Sequence, residues 1–194
     1  MTYLLTLDPG YKKAGAALFG GGDLIYAALI EISEPDRDLA RHWSDMAWAI
    51  ERAIWDYTEP YYNYAAAVEL MQIDGRTGKA QAAELLRLSG MAGAICALAT
   101  GEVAGYPPSE WNKNRGKGPN HAKILRALSD EEKTTFLEGE KITDGKRKNL
   151  CGSLRPKIGH PDQLYSRAVD ERTGQAEHVL DAVGIGLYHL GRLR

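Results

Sequence analysis

Apolar residues run almost without a break through TYLLTLD at 2–8, and the run ends on a carboxylate, Asp8. A short apolar stretch closed by Pro9 and Gly10 predicts a buried strand. AGAALF (14–19) and LIYAALIEI (24–32) predict two more, with the triple glycine at 20–22 and Asp23 as the hairpin signal between them. These three form an antiparallel meander. The period then changes. Leu39, Trp43, Ala47, Ile50, Ile54 and Tyr57 recur at helical spacing. They predict a helix over 38–58, entered through Ser33 to Arg37 and ended by Pro60. YAAAVEL (64–70) predicts a fourth strand. A helix over roughly 79–100 is apolar or small around most of its circumference and is expected to be buried on more than one side. A short strand at 102–106 precedes Pro107 and Pro108.

From residue 111 the pattern turns polar and basic in WNKNRGKGPNHAK, with a short helix predicted over about 120–128. Ser129 and Glu132 have capping-box spacing for another short helix. Residues 139–172 are charged and without clear period, which predicts loops. A last helix is expected over about 174–192, with Thr173 as its candidate cap. The order βββ–α–β–α–β–α predicts a single α/β domain over 1–194. Its mixed five-stranded sheet, three antiparallel strands and then parallel ones, carries helices on both faces. That is the order expected of an RNase H-like fold, here with an extended basic loop and helical insertion at about 128–172.

Composition narrows the class. A chain of 194 residues suffices for one α/β domain with a full core. Net charge is −2, so any nucleic-acid contact must rest on local patches. Cys96 and Cys151 stand far apart and outside any metal-type spacing, as expected of reduced thiols. Neither a signal-peptide pattern nor a bilayer-length apolar run is present, which predicts a soluble cytoplasmic protein.

The candidate chemistry lies in the carboxylates. Strand alternation puts Leu4, Thr6 and Asp8 on one side of the first strand. Glu69 also ends an apolar run, with Ala65 and Ala67 on its own face. If the two strands are parallel neighbours, Asp8 and Glu69 finish side by side. The last helix brings Glu177, His178 and Asp181, and the latter two share one face about a turn apart. Crowded carboxylates repel unless a cation neutralises them. Mg²⁺ is held by a few carboxylates plus substrate phosphate oxygens, and a pair of such ions suits phosphodiester hydrolysis. The set therefore fits a metal-dependent nuclease. Taken singly, Asp8 reads more readily as a turn former in Asp-Pro-Gly, and His178 as a cap-proximal surface histidine.

Five segments, which make four motifs, carry a family resemblance. LLTLDPGYKKAGAALF resembles the first motif of the RuvC Holliday-junction resolvases, and AAAVELMQ their second, in which a strand ends on the catalytic Glu. GKAQAAELLRLSGMAGAICALA with YPPSEWNK resembles the long helix and the short strand with its exit, and AEHVLDAVGIGLYHL the closing His/Asp-x-x-Asp-Ala helix. The likeness covers residues 3 to about 126 and resumes at about 175. It implies a homodimeric endonuclease that nicks four-way junctions or other branched DNA with Mg²⁺ or Mn²⁺, two ions per site, and no nucleotide cofactor. Asp8, Glu69 and Asp181 would be catalytic metal ligands, and His178 would fill the position where the family uses His or Asp. The family's aromatic after the catalytic Glu is replaced here by Met71, Gln72 and Ile73. The segment 128–172 is longer than the family's connection, as in phage-encoded relatives. Related nucleases acting on flaps, forks or RNA, and an inactive branched-DNA-binding module, stand as alternatives. A sugar-kinase-like ATPase would need a second duplicated half, for which 194 residues leave no room.

Lys113, Arg115, Lys117, Lys123 and Arg126 form a patch with no acidic residue between 111 and 126. Beside a metal site such a patch is expected to bind phosphates. The resemblance favours Lys113, Lys117 and Lys123, with Arg115, Arg76 and Lys79 as further nucleic-acid-binding candidates. Lys146, Arg147, Lys148, Arg155 and Lys157 form a second cluster, either a DNA-arm contact or a solvated loop. The helix 79–100 is expected either to pair two copies or to pack on the helix carrying Trp43 and Trp48, and both could hold on different stretches.

Overall fold

The computed structural model describes residues 3–34, 38–58, 64–70, 79–113, 117–150 and 175–193. Within them the chain forms β1 (Tyr3–Asp8), β2 (Lys13–Gly20), β3 (Asp23–Glu31), α1 (Leu39–Ile54), β4 (Tyr64–Glu69), α2 (Lys79–Cys96) and β5 (Val103–Tyr106). Then follow α3 (Pro108–Trp111), α4 (Lys117–Ala127), α5 (Asp130–Leu137), β6 (Glu140–Thr143), β7 (Lys146–Asn149) and α6 (Gln175–His189). The strands make one mixed sheet in the order β5-β4-β1-β2-β3-β6-β7. The meander β1–β2–β3 is antiparallel, and β4 and β5 add in parallel beside β1. This is the α/β arrangement expected of an RNase H-like fold.

Alternation along β1 divides the two cores. Leu4 joins Phe19, Ala67, Val179, Leu180 and Val183 on the face covered by α6, together with Trp111, Ile124 and Phe136 from α3, α4 and α5. Leu5 and Leu7 point the other way, onto Met46 and Ile50 of α1 and Met91 and Ile95 of α2. A sheet that is apolar on both faces needs helices on both, and the chain supplies them. Among the described residues no helix is long and apolar enough to cross a membrane.

Two expectations need correction. The sheet has seven strands, because the stretch expected as loops from 139 folds into the β6–β7 hairpin over its first part. β6 pairs in parallel with β3 and so covers what would be an exposed edge strand. Asp144 and Gly145 turn the hairpin with φ of 48° and 78°, the pair of positive values a tight two-residue hairpin turn requires. The first helix starts where the sequence places it, at Leu39, with the Asp38 side chain accepting from the N–H groups of Ala40 and Arg41. Finally, Trp43 packs on α2 at Gly90, where a Cβ would sit 2.3 Å from its ring. Trp48 does not share that burial and remains 65% exposed. It lines a groove of about 460 Å³ with Asp45, Arg52, Ile142 and Gly145. The Ser129–Glu132 capping box forms as its spacing predicts.

Candidate active site

The end of β1 lies under the first half of α6, and two backbone contacts fix that placement. The Thr6 hydroxyl, fully buried, donates to the carbonyl of Ala182 at 2.8 Å. Gly15 of β2 lies so close to α6 that a Cβ would stand 1.9 Å from the His178 carbonyl oxygen. Helix and sheet therefore touch backbone to backbone along 178–182. Gly15→Ala is expected to push α6 off the sheet at His178 and to destabilise the fold by about 1–3 kcal/mol or more. A denaturant titration against wild type measures the loss.

That contact delivers the imidazole. His178 Nδ1 stands 2.5 Å from Asp8 Oδ2, a donor-to-carboxylate hydrogen bond. Asp8 itself is 7% exposed, so a carboxylate at the end of a core strand is held in a largely dry position. Gly10 makes the following turn possible, since a Cβ there would meet the Lys13 carbonyl oxygen at 2.0 Å and lie 3.9 Å from the His178 ring.

Glu69 ends β4 as Asp8 ends β1. The parallel register pairs Thr6 with Ala67 and Leu7 with Val68. One further step sets Asp8 and Glu69 on neighbouring strands, about 4.8 Å apart in backbone spacing. Ala67 belongs to the core under α6, so Glu69, two residues on, shares the Asp8 side of the sheet. It is half-buried. Asp181 turns to a different neighbour. Its Oδ1 lies 3.1 Å from Nε2 of His121 on α4, and the His121 side chain is 3% exposed. Sequence reading assigned His121 no role. The available signal was its place on the stripe His121, Ile124, Leu125, Leu128, which puts a histidine on the apolar face of α4.

The donor set answers the question of a metal. Among the described residues no three His, Cys, Asp or Glu groups form a cluster that could hold an ion as they stand. Among the described residues no closed structural zinc site is built. Mg²⁺ asks for less, because one or two carboxylates plus substrate phosphate oxygens are its usual protein contribution. Asp8 and Glu69, oxygen donors at adjoining strand ends on one face, fit that demand.

The basic candidates divide by position. Lys113 is exposed after α3, with a φ of 56°, a left-handed conformation costly for a side chain with a Cβ. Lys123 is half-buried and Arg126 exposed on α4, the helix that carries His121. Arg76 and Arg115, and the side chains of Lys79 and Lys117, lie outside the described residues. In the second cluster Lys146, Arg147 and Lys148 sit on β7 at the far sheet edge, four strands from β1 and so about 19 Å away. Arg147 there bonds Asp56 at 3.2 Å and Glu140 at 3.3 Å. Arg155 and Lys157 lie outside the described residues, as do Cys151 and Thr173.

No family model and no curated protein matches the chain. Solved structures do. The Thermus thermophilus RuvC in complex with Holliday junction substrate matches 97% of this chain and 92% of its own, with 15% identity and a TM-score of 0.48. The yeast mitochondrial Holliday junction resolvase Ydc2 matches 98% and 81%, with 12% identity and a TM-score of 0.45. The human cytomegalovirus terminase nuclease domain matches 100% and 87%, with 16% identity and a TM-score of 0.43.

Proposed function

We propose that the chain is a metal-dependent, structure-specific endonuclease that nicks Holliday junctions or other branched DNA. The carrying observation is the buried Asp8 carboxylate, bonded to His178 and set beside Glu69 at the end of an apolar core. Burying a carboxylate costs free energy that a turn former at the surface never incurs. The position therefore calls for a role for the charge. The four RuvC-like motifs agree, since three of them contain these residues and Asp181.

Asp8 and Glu69 would hold Mg²⁺ or Mn²⁺, with Asp181 and His178 completing the acidic end of α6. Such an ion, or a pair of them, supplies charge neutralisation and polarises the scissile phosphate. The chain's own part is to fix the donors. β1 and β4 set the two carboxylates side by side, and the close backbone contact at Gly15 and the Thr6–Ala182 bond keep α6 over them. His178 holds Asp8 by its Nδ1–H, and when Asp8 turns to a cation the imidazole can ligate the ion or orient water. Lys113 and Lys123, on segments that pack around α6, would meet phosphates of the incoming strand. Paired nicks across a junction require two copies, and α2, with Leu86 exposed on its outer side, is the surface proposed for pairing.

The test uses end-labelled four-way junction, flap and linear duplex with the full chain in Mg²⁺, Mn²⁺ or EDTA. Paired symmetric nicks on the junction, with either metal and none in EDTA, are expected. Cleavage in EDTA would remove the metal from the reading. Preference for flap or fork would keep the nuclease and change its substrate.

A further inference from the structure

The proposed site explains Asp8, Glu69 and His178 but gives no task to the buried His121. His121 sits in the seam between α4 and α6, 3% exposed, with Nε2 3.1 Å from Asp181 Oδ1. Around it the seam is apolar: Ile124 and Leu128 of α4 pack with Val179, Leu180 and Val183 of α6. An aliphatic side chain would fill that space without the cost of desolvating a ring nitrogen. The seam is also tightly set. A Cβ on Gly184 would stand 2.6 Å from Ile124 and 2.8 Å from Trp111, so α4 is notched onto α6 at that glycine. Asp181 to Gly184 and His121 to Ile124 are both steps of three residues. The notch thus fixes how far His121 stands from Asp181.

We infer that His121 is a positioning residue for Asp181. Its Nε2–H holds Oδ1, so that the carboxylate keeps one orientation and its other oxygen, Oδ2, is left for a cation. The inference rests on the nuclease reading above and adds a residue to it. The physics is that of outer-shell support: a carboxylate ligand held by a second hydrogen bond loses less freedom when it binds a metal, and removing such a support costs about 10–100-fold in metal affinity. No proton transfer by His121 is required.

Two variants of similar size separate this role from packing. His121→Leu keeps the volume and removes the donor. His121→Gln places an amide N–H where Nε2 stands. Mn²⁺ binding to the full chain without DNA is measured by calorimetry, alongside the melting temperature and the Mn²⁺ concentration for half-maximal junction nicking. His121→Leu is expected to bind Mn²⁺ about 10–100-fold more weakly and to need correspondingly more Mn²⁺ for nicking. His121→Gln should recover most of that loss at a melting temperature no higher than that of the Leu variant. Unchanged Mn²⁺ affinity in His121→Leu, or a Gln variant as weak as Leu, would overturn the positioning role while leaving the nuclease intact. A wild-type chain that binds no Mn²⁺ and cuts no junction would overturn both.

Discussion

Asp8→Asn is expected to lower junction nicking by about 10³-fold or more while leaving junction binding close to wild type. The substitution keeps the side-chain shape and one oxygen but removes the negative charge. A carboxylate that helps hold a catalytic metal supports several kcal/mol of transition-state stabilisation, and each 1.36 kcal/mol is about tenfold in rate. Binding should persist because the phosphate contacts assigned to Lys113 and Lys123 are untouched. Stability should change little. The variant loses the negative charge on the acceptor of the His178 hydrogen bond, 2.5 Å long in the wild type, but its amide oxygen can still accept from Nδ1, and it is relieved of burying a charge. Single-turnover nicking and a gel shift in EDTA measure the two halves. A variant that cuts at the wild-type rate would return Asp8 to its simplest role, a turn former before Pro9 and Gly10.

Asp8 was legible because strand alternation is local. The same period that buries Leu5 and Leu7 on one side puts Thr6 and Asp8 on the other, and the β1–β4 register extends that logic to Glu69. The capping box of α5 was legible for the same reason, since Ser129 and Glu132 bond within one turn. What escaped depends on contacts between distant segments. β6 and β7 are four residues each, and Ile142 is the one apolar side chain in EKIT and KRKN, too little for a hydrophobic period. Asp144 and Gly145 were the remaining clue. The Asp144 side chain accepts from the Ser33 backbone N–H at 3.0 Å, a bond between the ends of neighbouring strands that has no sequence signature. His121 escaped likewise. Its burial follows from the way α4 crosses α6 at Gly184, a contact between segments far apart along the chain.

The stability of that crossing depends on a residue beyond α6. Arg192 grips Glu132 with both terminal nitrogens, Nη1 to Oε1 at 2.7 Å and Nη2 to Oε2 at 2.6 Å. It also donates to the carbonyls of Gly22 and Ala127 at 2.8 and 3.0 Å. Glu132, 2% exposed, accepts further from the N–H groups of Leu24 and Ser129. One ion pair thus ties the exit of α6 to the β2–β3 turn and to the α4–α5 junction. Arg192→Met should cost about 3 kcal/mol, the lower end of the usual loss for breaking a buried pair, because Arg192 is partly exposed. Burial pushes the Glu132 carboxyl up, yet the guanidinium and the two N–H groups outweigh it and hold it below its ordinary value. The stability this contributes is present above the ordinary carboxylate range and is lost as pH falls through the lowered folded value. The gap between wild type and Arg192→Met in urea midpoint should therefore be widest near neutral pH and narrow on acidification. A gap that stays constant with pH would make the loss one of packing by the arginine stem. Because Thr6–Ala182 and the Gly15 contact hold α6 at its other half, the variant should still nick junctions at temperatures where it remains folded, which separates the clamp from the site it steadies.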